Sequence, residues 1–351
     1  MKKERHLLGR RYKKNRGIPF FYKYKMSKDA IICVEKFRNE IMNGGIKQNE
    51  HEKCPLCFTP GALLIAETDR LGIPCNTVIC KGCGLVFNDS FFTADSLDAV
   101  YKDFYGKINF NGLSPEESFL KRTGPDAYSW KRYAYISLQL GDSLKNVNTV
   151  FEIGCRDGCN LLPFYLAGKE VMGCDFDEEY LDAGRKRGLN LIRGGTDSLI
   201  ASGKKADLII LSHVVEHFVD LDEEIAKIKS VLADGGYIYV EVPGLFNWNR
   251  KRRYAIAEDG YRSTNDFISY LQSVHNYYFD LEKVSFFFGK AGFKRLTGDE
   301  WVRALFRNDS SGQSVKGISG SAEKVLSHLK NVENDYRSLS SQFQRIMRKA
   351  L

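Results

Sequence analysis

Four cysteines, a glycine-bearing turn and a small set of histidines are the residues of this 351-residue chain best suited to chemistry. Cys54 and Cys57 in CPLC, and Cys80 and Cys83 in CKGC, form two C-x-x-C pairs. Each pair can aim two thiolates at one ion, and two pairs complete a closed tetrahedral zinc site. Four sulfur ligands leave no position for water or substrate, so the expected metal is structural. In VFEIGCRDGCNLL, residues Glu152, Gly154, Asp157 and Gly158 gather at the end of an apolar run, and Asp175 and Phe176 close the next apolar run. A glycine lets the backbone turn sharply and approach a ligand closely. An acid more than twenty residues after Glu152 stands where ribose hydroxyls are held in nucleoside-binding folds. The histidines are His213 and His217 in HVVEH, with Glu216 between them, and His275 in SVHNYYFD. Imidazole, with an ordinary pKa near about 6.5, exchanges protons at neutral pH. Together with carboxylate it also suits a divalent metal.

The elements that must position these groups can be read from periodicity. Residues 147–176 form a strand, a tight turn, a helix and a second strand. EEYLDAGRKRG then reads as a helix ended by Gly188, and LNLIRGG as a third strand. ADLIILSHVVEHF reads as a fourth strand entering a helix, with Ser212 and His213 at its ligand edge, and DGG as the turn before a fifth strand. Strands alternating with helices imply a parallel sheet that binds ligands at the strands' carboxyl ends. The turn departs from the dinucleotide fingerprint G-x-G-x-x-G: Arg156 takes the second glycine position, Cys159 the third, and Gly158 falls one residue early. Glu152 would repel a pyrophosphate, whereas S-adenosylmethionine carries a sulfonium and an ammonium and no phosphate.

FEIGCRDGCNLL resembles the first motif of class I S-adenosylmethionine-dependent methyltransferases, most closely the EIGSNDG form of zinc-containing sugar C-methyltransferases. LIILSHVVEHFVDLDEEIAKIKSVLADGGYIYVEVPG resembles their stretch from fourth to fifth strand. SVHNYYFDLEKVSFFFGKAGF is similar to their HEHLSYFS…AGF segment, with His275 matching the second His, Ser273 replacing the first and Val274 replacing Glu. The likeness covers residues 146–300, and the cysteine pairs extend it to about residue 50. It implies an α/β fold, a Rossmann-like seven-stranded methyltransferase domain preceded by a small zinc ribbon. It implies S-adenosylmethionine contacts at Glu152, Gly154, Asp157, Gly158, Asp175, Phe176, Ser212 and His213, with zinc on Cys54, Cys57, Cys80 and Cys83. The acceptor would be a sugar, nucleotide-linked or in a polysaccharide precursor, methylated at carbon or oxygen, with His275 as general base; the H-x-x-E-H spacing separately makes His217 or His213 a substrate contact. Two other readings stand beside it. One is a metal-dependent RNA or small-molecule O-methyltransferase, because His213, Glu216, His217 and His275 resemble the E-x-x-E-H plus distant His of small-RNA 2′-O-methyltransferases. The other is a non-catalytic binding module, suggested by Arg156 and Val274.

The net charge of +8 is concentrated at the start: residues 1–25 hold ten Lys or Arg and one acid, so the remainder is close to neutral. A basic arm is expected rather than a uniformly basic surface, and nucleic acid is not the expected partner. The arm lacks the apolar core of a signal peptide, reads as an extension, and leaves Met26 as an alternative start. No apolar run reaches the roughly 18 residues a membrane helix needs. Nine cysteines, an odd number, suit a reducing, cytoplasmic compartment. The expected order is a basic arm and helix over 1–50, the ribbon over 51–90, a helical linker or cap over 91–145, the cofactor domain over 146–308, and a linker with an amphipathic helix over 309–351. Tyr101, Tyr105, Tyr128, Trp130 and Tyr133 in the linker recur at helical spacing, to cover the cofactor or to pack in the core. Residues 246–272 read as a substrate-side insertion. Val325, Leu329, Val332, Tyr336, Leu339, Phe343 and Ile346 make one narrow apolar seam, for pairing with a second copy or folding back on the same chain.

Overall fold

The computed structural model describes residues 1–14, 17–18, 26–109, 113–246, 267–309, 318 and 321–350, the side chains of residues 109 and 339–350 excepted. The chain divides into two compact units, one of Met1–Asn111, Gly244–Phe279 and Gly317–Leu351, the other of Gly112–Pro243 and Asp280–Lys316. The sequence reading expected domains in series; the units interleave instead. Strands β1 (Lys3–Arg5), β2 (Gln48–Glu50), β3 (Ala62–Thr68), β4 (Pro74–Cys80), β5 (Val86–Asn88) and β6 (Ser90–Phe92) belong to the first unit. Strands β7 (Thr149–Ile153), β8 (Glu170–Asp175), β9 (Leu191–Arg193), β10 (Ala206–Ser212) and β11 (Leu232–Glu241) belong to the second. Strand β12 (Tyr277–Tyr278) returns to the first, and β13 (Phe293–Gly298) and β14 (Arg303–Asn308) to the second.

In the second unit the seven strands run β13-β14-β11-β10-β7-β8-β9. Strands β7 to β11 pair in parallel, and β14 is antiparallel to both β11 and β13. This is the expected Rossmann-like α/β sheet. TVFEI and ADLIILS read as near-continuous apolar runs because helices cover both faces. Val150, Leu161, Phe164, Leu208, Ile210, Tyr239 and Leu305 share one core. Sequential strands leave β7 in opposite directions, to β8 on one side and to β10 on the other, and a crevice opens at their carboxyl ends. Helices α1 (Lys28–Met42), α2 (Pro115–Thr123), α3 (Tyr128–Leu140), α4 (Leu162–Leu166), α5 (Glu178–Arg185) and α6 (Thr196–Ala201) precede α7 (Leu221–Ser230). The carboxylate of Asp220 caps α7 by accepting from the N–H groups of Asp222 (3.0 Å) and Glu223 (2.9 Å). The DGG stretch is not a turn before β11 but lies inside it, beside a register shift in the pairing with β10. Among the linker aromatics, Tyr133 packs on Phe164 in the core, while Tyr128 is exposed.

The first unit holds a five-stranded sheet, β1-β3-β4-β5-β12, and a separate β2-β6 pair. The basic arm is not a free extension. Strand β1 joins the edge of β3 in parallel register, the N–H of Leu8 bonds to Ile65 O (3.1 Å), and Tyr12 is fully buried. Two of the arm's charges are paired inside the unit, Lys3 with buried Asp89 and Arg11 with buried Glu333. A chain beginning at Met26 would lose all of this; residues 19–25 themselves lie outside the described residues. Helix α8 (Leu281–Lys290) belongs to the second unit and α9 (Ala322–Ala350) to the first. The first turns of α9 fold back on their own unit, with Val325, Leu329 and Val332 buried beside Tyr12, Ile65 and Tyr278. The seam from Leu339 onward lies outside the described side chains. Of the segment read as a substrate-side insertion, 247–266 is likewise outside, whereas Phe267–Tyr270 is a buried turn of this core. Among the described residues no helix is long and apolar enough to cross a membrane.

Tyr12 joins the arm to α9: its ring fills the core and its hydroxyl donates to Glu333 (2.9 Å). Tyr12→Ala should lower stability to chemical denaturation by about 3 kcal/mol, as expected for an aromatic core truncation. Tyr12→Phe, which loses only the hydroxyl's bonds to Glu333 and Arg11, should cost about 1 to 2 kcal/mol. Equal stability of Tyr12→Ala and wild type would show the arm to be dispensable.

Candidate functional site

The cofactor turn begins where β7 ends. Gly154 has φ +66, and a Cβ there would lie 3.0 Å from Val214 Cγ2, so the position requires glycine. Gly158, φ +72, faces Leu189 and Leu191 too closely for any side chain. Arg156 adopts φ +52 without being glycine. Its N–H donates to Asp175 Oδ2 (2.8 Å), and its guanidinium lies 3.8 Å from the centroid of the Tyr180 ring. Arg156 therefore takes the left-handed conformation that the missing glycine would supply, and the departure from the fingerprint leaves the turn intact.

Asp175, at the end of β8, accepts one backbone hydrogen bond on each oxygen, from Arg156 and from Asp177 (3.0 Å). A carboxylate has about four acceptor directions, so two remain for ribose hydroxyls. Burial raises its pKa against those two bonds. Phe176 follows with its ring exposed, and a Cβ on Gly195 would lie 3.4 Å from that ring. Glu152 is buried at the end of β7; Oε1 accepts from Asn160 Nδ2 (2.6 Å) and Oε2 has no hydrogen-bond partner. Burial pushes its carboxyl up to about 8, against the Asn160 hydrogen bond and the charges of Arg122 and Arg132 that pull it down. Asp157 is fully buried, pairs through Oδ1 with Arg122 (3.1 Å), and leaves Oδ2 without a hydrogen bond. Two buried carboxylate oxygens without donors, beside bare glycine backbone, fit a ligand that brings cationic groups.

Ser212 and His213 end β10. His213 has φ +59, and its ring is 46% exposed. Its Nδ1 lies 3.5 Å from Glu216 Oε1 and its Nε2 3.6 Å from Glu241 Oε1. Burial disfavours the imidazolium, but the two carboxylates outweigh it and raise the pKa to about 9. The two ring nitrogens of His213 thus face different acids. Glu216 is buried, and His217 closes the short turn Val215–His217 in the same unit. His275 belongs to the first unit, where it is buried; its Nε2 lies 3.0 Å from Gln272 Nε2 and its carbonyl accepts from Asn88 (2.7 Å).

Sequence reasoning missed Arg132, Asn160, Tyr239 and Glu241. Arg132 Nε and Nη2 bind the two oxygens of Glu241 (2.6 and 3.2 Å), while Nη1 donates to Asn160 Oδ1 (3.1 Å). Tyr239 donates to Glu241 (2.8 Å). The available signal was helical: Arg132, Ile136 and Leu140 share one face of α3, and the latter two are core residues.

In the first unit both C-x-x-C pairs form tight turns. Phe58 N–H bonds to Cys54 O (2.9 Å) and Gly84 N–H to Cys80 O (3.0 Å). Cys54 Sγ lies 3.7 Å from Cys83 Sγ, Cys57 Sγ lies 3.5 Å from Cys80 Sγ, and all four sulfurs fall within 4.8 Å of one another. Zinc–sulfur bonds of about 2.3 Å in a tetrahedron put sulfurs about 3.8 Å apart, so the four residues fit zinc. The N–H groups of Gly82 (3.2 Å) and Cys83 (3.4 Å) point at Cys80 Sγ, as donors do around a thiolate.

Residues 128–297 match a family model described as a methyltransferase domain. Two curated relatives, ubiquinone biosynthesis O-methyltransferases of Chelativorans sp. (strain BNC1) and Mesorhizobium japonicum, are each 31% identical over 97 residues, 26% of this chain. The match spans 38% and 39% of their lengths. Among solved structures, a SAM-dependent methyltransferase from Archaeoglobus fulgidus is 20% identical, with TM-score 0.36 over 59% of this chain and 85% of that one. SAM-bound CalS10, an amino pentose methyltransferase from Micromonospora echinaspora, is 16% identical, with TM-score 0.37 over 53% and 94%. The chain thus carries a methyltransferase domain, and its seven-stranded sheet is the Rossmann-like sheet of that fold.

The Glu152 carboxyl, protonated below about pH 8 in the free protein, must lose its proton to face an ammonium. S-adenosylmethionine affinity should therefore rise with pH more steeply in wild type than in Glu152→Gln, levelling above that pH. The cofactor's own amino group, titrating near about 8, affects both proteins alike and cancels in their ratio. Parallel calorimetric pH profiles would refute the assignment.

Proposed function

We propose that the protein transfers the methyl group of S-adenosylmethionine to a sugar, nucleotide-linked or in a polysaccharide precursor, and that Cys54, Cys57, Cys80 and Cys83 hold one structural zinc. The observation that carries the cofactor assignment is the crevice beside β7, where Asp175 keeps free acceptor directions and Glu152 Oε2 and Asp157 Oδ2 lack donors. The cofactor supplies a methyl group made electrophilic by sulfonium. Asp175 would hold the ribose, Glu152 the ammonium, and Phe176 offers an exposed ring at the end of β8 against which an adenine could stack. The sugar acceptor rests on the resemblance of SVHNYYFD and the cysteine pairs to sugar C-methyltransferases. By that resemblance His275 takes the acceptor's proton, and His217, at the exit of β10 by its H-x-x-E-H spacing, would contact the acceptor. O-methylation of a hydroxyl on a non-sugar small molecule is the second reading, favoured by the curated relatives named ubiquinone biosynthesis O-methyltransferases.

A transfer assay with methyl-labelled S-adenosylmethionine should label nucleotide sugars, including 4-keto sugars, and not catechol-type aromatics. His275→Gln should lower turnover at least about a hundredfold, the lower range for a positioned base, while leaving calorimetric cofactor affinity unchanged. Labelling of aromatics alone would favour the second reading. Binding without transfer to either class would support a binding module, and rescue of chelated enzyme by Mg²⁺ or Mn²⁺ would support metal-dependent O-methylation.

Purified protein should contain about one zinc per chain, lost in the double variant Cys80→Ser and Cys83→Ser. The second pair adjoins α9: at Gly84, φ +74, a Cβ would lie 3.4 Å from the carbonyl of Ser321 and from Val325. Zinc removal should therefore speed amide hydrogen exchange in residues 322–332, and unchanged exchange would contradict a folding role for the metal.

A further inference from the structure

An asparagine amide has an acceptor end and a donor end, and a guanidinium can only donate. With Arg132 Nη1 3.1 Å from its oxygen, the Asn160 amide must turn its nitrogen to Glu152, which it meets at 2.6 Å. That occupies Glu152 Oε1 and leaves the buried Oε2 as the atom without a donor. Arg132 is itself held by both oxygens of Glu241, so it cannot turn to satisfy either neighbour alone. All five side chains concerned, Arg132, Asn160, Glu152, Glu241 and Tyr239, lie in the second unit, and Asn160 and Glu152 are almost fully buried.

We infer that Arg132 is a positioning residue for cofactor binding: acting through Asn160, it orients Glu152 so that Oε2 faces the ammonium of the bound amino-acid moiety. The inference rests on the cofactor reading above. Lysine at this position would keep the charge but lose the three-way fork, because one ammonium cannot reproduce the planar geometry of a guanidinium. Arg132→Lys therefore separates geometry from net charge. Without the fork the Asn160 amide is free to flip and its hydrogen bond to Glu152 is lost. That bond lowers the Glu152 pKa, as do Arg122 and Arg132, while Asp157 raises it. Losing the bond moves the Glu152 proton-release step to higher pH.

The probe is S-adenosylhomocysteine, which keeps the ammonium and does not turn over. Calorimetry should find Arg132→Lys weaker than wild type by about tenfold or more, the range for a hydrogen bond to a charged group. Its Glu152-dependent rise in affinity should be displaced to higher pH. In the Glu152→Gln background, Arg132→Lys should add less than about twofold, because linked residues are non-additive. Asn160→Asp, which removes the donor toward Glu152, should behave in the same way and serves if Arg132→Lys does not fold. In ligand-free protein the Asn160 side-chain amide resonance, identified by its loss in Asn160→Ala, should shift in Arg132→Lys. Additive losses, an unmoved pH step or an unmoved Asn160 resonance would overturn the inference while leaving the cofactor reading intact. Wild-type protein that does not bind S-adenosylhomocysteine would overturn both, and is told apart by that binding result alone.

Discussion

A carboxylate buried at the end of a parallel strand is the constraint around which the second unit is arranged. Glu152 sits where β7 meets the glycine turn, and burial alone would make it a neutral, inert acid. One oxygen is satisfied by Asn160, Asn160 is held by Arg132, and Arg132 is held by Glu241 at the end of β11. Glu241 also faces His213 at the end of β10. Charges of alternating sign thus run from Arg132 to Glu241 to His213 at the carboxyl ends of β10 and β11, and the neutral Asn160 amide links them to Glu152. Burying one such pair in isolation costs several kcal/mol in desolvation, which is why buried ions occur in connected sets. Glu152 Oε2, Asp157 Oδ2 and both oxygens of Glu216 are buried without a hydrogen-bond donor.

The first unit solves a different problem. Its five-stranded sheet is assembled from two separated segments, a third supplies α9, and its edge strand β1 is only three residues long. Edge strands this short contribute little by hydrogen bonding, so what fixes the arm is burial of Leu8 and Tyr12 and the pairing of Arg11 and Tyr12 with Glu333. Cys54 and Cys57 lie on the turn before β3, and Cys80 and Cys83 lie at the end of β4 and on the turn after it.

Much of the cofactor unit was legible because its signals are local. Apolar runs marked β7, β8 and β10, glycines marked positions with positive φ, and Asp175 followed at a fixed spacing. The cysteine pairs were legible for the same reason: two residues at one turn need only two turns to meet. Arg132 was marked only by sharing a helical face with Ile136 and Leu140 in YSWKRYAYISLQL, and that stripe does not say which acid the arginine meets. Asn160 and Glu241 carried no local signal, because their partner Arg132 lies on another element. The N-terminal segment misled in the opposite direction. Ten basic residues suggested a solvated arm, but the acids that neutralise Lys3 and Arg11 are Asp89 and Glu333, far along the chain. Charge composition within a window cannot report partners outside it.

The interleaving of the units also constrains how the chain can fold. Strand β12 pairs with β5 across nearly two hundred residues, and α9 contributes Val325, Leu329 and Val332 to a core begun by Leu8 and Tyr12. The first unit therefore cannot close until the whole of β7 to β11 has been made. Contacts of such sequence separation carry a large loop-closure cost in a free chain and slow folding. If β7 to β11 pair first, they shorten that loop by compacting it, so the second unit acts as a folded insertion between the segments of the first. Cys54, Cys57, Cys80 and Cys83 fit this order, because they lie within residues 54–83 and can meet without any later segment. Strand β1 joins the edge of β3, β12 the edge of β5, and α9 the core begun by Leu8 and Tyr12, so the segment that comes last in the chain closes the core that the first one opens.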